Sequence, residues 1–168
     1  MSHRLASALG VAALVGGATL LTAPAAHAEE RTCRGSLGAV TVDNLRVPAG
    51  ATCTLSGTRV KGTVKVESGA TLTATSVRVV GNVQAEDHRR VVLRTSTVGG
   101  SVQLVQGGTA TIASNRVSGD VQLFTNAGAQ SVTGNRIDGN LQCKENSPAP
   151  TGSKNVVGGN KEDQCRRL

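Results

Sequence analysis

Six glycines, Gly62, Gly81, Gly100, Gly119, Gly139 and Gly159, follow one another at steps of 19, 19, 19, 20 and 20 residues. The first five sit in the same pattern, apolar-x-Gly-polar-apolar-polar-apolar, over 60–66, 79–85, 98–104, 117–123 and 137–143. A period near 20 that carries strand-type alternation is the mark of one rung in a stacked β-solenoid, because each rung buries its apolar face only against its neighbours. The chain is therefore expected to be all-β, a single-domain parallel β-helix of about 19–20 residues per rung and six to seven rungs. Stacked at about 4.8 Å, the rungs would make a rod roughly 30 Å long.

The alternation assigns the inside of the rod. Val60, Val64, Val66, Leu72 and Ala74 alternate with Lys61, Thr63, Lys65, Thr71 and Thr73, and the same columns return as Val79, Val83, Ala85, Val91 and Leu93. Branched side chains suit such strands because they pack on a pleated surface. A narrow tube also leaves little room for rings, which accounts for a composition with Phe124 as the one aromatic residue. Glycine is expected to open a turn in each rung, where a positive φ would ease the bend. Asn115, Asn135 and Asn155 recur every 20 residues and are expected to form a ladder of amides at a turn.

Residues 1–28 read as a signal peptide: His3 and Arg4, an apolar run over 5–21, then Ala26-His27-Ala28 as a cleavage site. Release near Ala28 would leave a secreted, extracellular chain, 29–168, with no membrane span. It divides into an N-terminal cap and first rung (29–55), regular rungs (56–146) and a C-terminal cap (147–168). The four cysteines lie within it, and in an exported chain they are expected as two disulfides. Cys33 and Cys53 are 20 residues apart, and Cys143 and Cys165 are 22 apart, so each pair spans one rung and would clip one end.

Chemistry is sparse. His88 is the one histidine after the leader and lies among Glu86, Asp87, Arg89 and Arg90, the densest charged corner, expected to be solvated. The outward strand face offers a single carboxylate, Asp120, beside Thr63, Asn82, Ser101 and Asn140. Glycoside hydrolysis needs a pair of carboxylates, so this face argues against it. Two outward columns are regular. Gln84, Gln103, Gln122 and Gln142 form one, a ladder or a polar groove for an extended glycan. Arg59, Arg78, Arg116 and Arg136 form the other, interrupted by Thr97, and suit a repeating anion. Pairs of the form Thr-x-Thr at 52–54, 71–73 and 109–111 are interrupted by Arg90-x-Val92, which makes a poor flat template for ice.

The repeats, the leader, the end cysteines and the closing stretches 139–150 and 155–165 together resemble the small secreted β-helix proteins of actinomycetes. The resemblance implies a secreted parallel β-helix and carries over no catalytic residue. The expected function is non-enzymatic: surface contact with an anionic cell-wall polymer, an acidic glycan or another extracellular glycan. The competing reading is a carbohydrate-active enzyme, lyase-like or hydrolase-like, built on Asp120 or the His88 corner. No metal and no cofactor is expected, and the lack of interleaved aromatics argues against nucleic acid.

Overall fold

The computed structural model describes residues 29–168, so the leader expected over 1–28 lies outside the described residues. Twenty-two short strands, numbered along the chain, form three parallel sheets that the chain visits in strict rotation. Sheet A holds β1 (Glu30–Thr32), β4 (Asn44–Val47), β7 (Val64–Val66), β10 (Val83–Glu86), β13 (Val102–Val105), β16 (Val121–Phe124), β19 (Leu141–Lys144) and β22 (Lys161–Asp163). Sheet B holds β2 (Gly35–Leu37), β5 (Thr52–Ser56), β8 (Thr71–Thr75), β11 (Arg90–Arg94), β14 (Thr109–Ala113), β17 (Gln130–Thr133) and β20 (Thr151–Ser153). Sheet C is built from two-residue strands: β3 (Thr41–Val42), β6 (Arg59–Val60), β9 (Arg78–Val79), β12 (Thr97–Val98), β15 (Arg116–Val117), β18 (Arg136–Ile137) and β21 (Val156–Val157). Seven turns of a three-sided parallel β-solenoid result, at the upper end of the expected six to seven.

The register follows the apolar columns read from the sequence. Val64, Val83, Val102, Val121 and Leu141 stand opposite one another in sheet A, and each is buried. Burying one such side chain is worth about 1.5–3 kcal/mol, so repetition of one small motif supplies most of the stabilisation. One inward column holds a surprise: Gln130 is buried opposite Ala110 and turns its amide back to the Gly108 and Gly128 carbonyls at 2.6 and 2.8 Å.

The glycines work differently from expectation. None of the six has a positive φ. They stand at the corner from sheet C to sheet A, where a side chain of the previous rung lies against the backbone. A Cβ on Gly100 would come within 2.2 Å of Asn82 Oδ1, and one on Gly139 within 2.4 Å of Asp120 Oδ1. Those oxygens accept the amide that follows each glycine, Ser101 N–H to Asn82 Oδ1 at 2.8 Å and Asn140 N–H to Asp120 Oδ1 at 2.7 Å. Glycine is needed for close approach between rungs. Left-handed φ falls instead on the other two corners, and mainly on side-chain-bearing residues: Ser76, Thr95 and Ser114 between sheets B and C, Asp87, Gln106 and Thr125 between A and B. Such residues are strained in isolation and persist where the surroundings over-determine them, as a stack of paired rungs does.

Both disulfides are formed as expected, Cys33–Cys53 with Cα atoms 5.6 Å apart and Cys143–Cys165 with 5.2 Å. The two ends they clip are unlike. At the C-terminal end the chain turns after β22, and Cys165 and Leu168 are buried in the core with Val157 packed against it. At the N-terminal end no such plug is formed among the described residues. β1, β2 and β3 are the outermost strands of their sheets, Leu37 and Val42 are half-buried, and Val40 is 47% exposed.

Candidate functional site

The two outward columns exist as expected, on different sheets. Gln84, Gln103, Gln122 and Gln142 lie in register on sheet A. Each Nε2 donates to the Oε1 of the next residue, at 2.9, 2.8 and 2.8 Å, and Gln142 donates to Glu162 Oε2 at 2.8 Å. Lys65 precedes Gln84 in the column. Gln103, Gln122 and Gln142 thus each spend one donor and one acceptor on their neighbours and keep one N–H and one lone pair for solvent, while Gln84 only donates.

Beside this ladder runs a second outward column of sheet A, Glu86, Val105, Phe124 and Lys144. A shallow groove of about 430 Å³ lies between the two, with Lys65, Gln103, Glu86 and Val105 among its walls. Glu86 and Glu162 on the same face oppose an anionic occupant.

Sheet C carries the arginines. Arg59 faces Arg78, Arg78 faces Thr97, Thr97 faces Arg116, and Arg116 faces Arg136, all exposed. One carboxylate, Asp138, serves the lower pair, 3.7 Å from Arg116 and 3.5 Å from Arg136. Among the described residues no ion pair involves Arg59 or Arg78. Lys61 is committed elsewhere: its ammonium donates to Asp43 at 2.9 Å, and this hydrogen bond, then its charge, holds the Asp43 carboxyl below the usual range.

The chemistry of the competing reading is taken up by the fold. Asp120 is a corner acceptor for Asn140 N–H. His88 is a correction: it is 1% exposed, and the corner expected to be solvated buries its ring. The imidazole lies over Gly107, where a Cβ would meet Nδ1 at 2.1 Å, and neither ring nitrogen has a hydrogen-bond partner. Burial pushes its pKa from 6.5 down to about 4, the neighbouring Asp87 charge opposing. Only glycine at position 107 leaves room for the ring, a relation that a corner of variable sequence conceals.

The expected asparagine ladder is present and buried. Asn115 Nδ2 donates to Leu93 O at 2.8 Å and to Asn135 Oδ1 at 3.0 Å, and Asn135 repeats this with Ile112 O and Asn155. A second ladder, missed from sequence, runs through Asn126, Asn146 and Gln164 at the corner between sheets A and B. Its signal was the spacing of 20 between Asn126 and Asn146.

Compared with protein-family models, with curated proteins and with solved structures, the chain gives no match. The class is therefore defined by geometry: a three-sided parallel β-solenoid with one disulfide at each end. Disulfides point to an oxidising compartment, and among the described residues no helix is long and apolar enough to cross a membrane.

Proposed function

We propose that the protein is a secreted, non-enzymatic binding rod whose arginine edge on sheet C contacts an extended anionic polymer, of the kind found in cell walls or in acidic glycans. The observation that carries this is the column itself. Arg59 and Arg78 are adjacent, exposed and without an acidic partner among the described residues, while the next two arginines share Asp138. Guanidinium groups pair with phosphate or carboxylate oxygens in a planar fork, and a repeating anion can meet one on several rungs. The stack already fixes the backbone spacing, so little ordering of the protein opposes binding. Catalysis is disfavoured because Asp120 is held by the backbone and the one imidazole outside the leader is buried and neutral near pH 7.

The test is binding of purified teichoic acid by calorimetry across a salt series. Affinity should fall steeply with salt, since exposed charges are screened over about 8–10 Å near physiological ionic strength. Arg59→Gln with Arg78→Gln should weaken binding about tenfold or more, and Arg116→Gln with Arg136→Gln should weaken it less, because Asp138 already offsets that pair. Equal binding by wild type and the Arg59/Arg78 variant, or none at low salt, would sink the proposal.

A further inference from the structure

We infer that the N-terminal end of the rod is a self-association surface, and that two copies meet there end to end. A solenoid is stabilised by what covers its last rungs, and an open terminal rung offers unpaired backbone groups to another chain. The two ends of this molecule treat that problem differently. At the C-terminal end, where β20, β21 and β22 are the edge strands, a turn covers the core by burying Cys165 and Leu168. The N-terminal end presents three edge strands at once, β1, β2 and β3. Between them opens a cavity of about 380 Å³ whose apolar walls are Leu37, Val40 and Val42.

Three features select a second copy as the occupant. An edge of parallel strands is satisfied only by another strand edge, and three edges arranged as the sides of a triangle are matched by the same triangle turned over. A two-fold axis in the plane of the end, through the middle of β2, sets β2 antiparallel to its counterpart and each β1 against the other copy's β3. The turn over the core at the opposite end makes that end unlike this one and disfavours head-to-tail stacking, so the contact is isologous and stops at two. Charge also permits it. The molecule carries a net charge of +7, yet this rim mixes signs, with Glu29 and Asp43 lining the cavity beside Arg31, and Glu30 and Arg34 nearby. Mixed charge at this end limits repulsion between copies where backbone pairing is on offer.

The experiment is sedimentation velocity on the protein released by an exporting host, its N-terminus read by mass spectrometry, over a hundredfold range of concentration. A monomer–dimer equilibrium is expected. Val40→Arg should raise the dissociation constant about tenfold or more, because it places an unpartnered charge in the contact. Val156→Arg, at a more exposed apolar site at the far end of sheet C, should leave the equilibrium unchanged. Hydrogen exchange should slow with concentration in 30–42 and nowhere else. A monomer at every concentration overturns the inference, and so does equal weakening by both variants. A monomer that retains residues ahead of Glu29 also overturns it, since that segment, and not a second copy, would then cover the end. Unchanged disulfide maps and circular dichroism show that each variant is folded.

Discussion

Amide ladders line this rod both inside and outside, and they do different jobs with the same functional group. The buried asparagines at the corner between sheets B and C satisfy backbone as well as one another. Asn135 Oδ1 accepts from both the backbone and the side chain of Asn115, while its Nδ2 donates to Ile112 O. The outward, half-buried glutamines of sheet A bond only to side chains, Gln103 to Gln122 and Gln122 to Gln142. A buried polar group without a partner costs about 1–3 kcal/mol, whereas an exposed one turns to water. The inner ladder is therefore part of the fold, and the outer one is a surface that the fold can spare.

The largest test breaks the inner ladder. Asn135→Leu strands the Asn115 amide groups and the Ile112 carbonyl, and should cost about 3 kcal/mol or more in urea unfolding. A loss below about 1 kcal/mol would remove the distinction between the ladders.

A second test uses the place where the other inner ladder stops. The column of Gln164, Asn146 and Asn126 ends on Gly107 N–H, and the next rung puts His88 there with both ring nitrogens unpaired. The folded pKa, about 4, lies below the unfolded 6.5, so the unfolded chain takes up the proton first as pH falls. This contribution to stability is full above pH 6.5 and is lost progressively down to about pH 4, a few kcal/mol in all. Thermal unfolding of His88→Gln across that window should show a flatter pH profile than the wild type. Parallel profiles would mean that the imidazole is hydrated or paired.

The smallest effect is expected outside. Gln122→Ala removes two part-buried links of the outer ladder, whose freed groups can turn to water, and should change stability by no more than about 1 kcal/mol. A cost matching that of Asn135→Leu would show that the outer ladder is structural as well.

Much of this could be read from the chain because a fixed period turns spacing into position. The glutamine and arginine columns, the valine core and both disulfides needed only an alignment on Gly62 to Gly159. What failed was local. The role of those glycines depends on which atom of the previous rung lies beneath, Asn82 Oδ1 under Gly100 for example, and a single rung does not display it. His88 sits in a run of charged residues that reads as solvated, and its burial follows from a missing side chain at Gly107, one rung away. At the N-terminal end the spacing of Cys33 and Cys53 announces a staple. A staple fixes two strands and covers neither.

The outer ladder has one more property. All its amides point the same way, each donating toward the C-terminal end, from Gln84 to Gln103 and onward to Glu162. Its C-terminal member holds that direction: Glu162, when ionised, can only accept. Four aligned amides reinforce one another, so reversing one means reversing all against the Glu162 carboxylate. Sheet A therefore has a direction as well as a pattern, and a polymer with two unlike ends would lie along it more favourably one way round than the other.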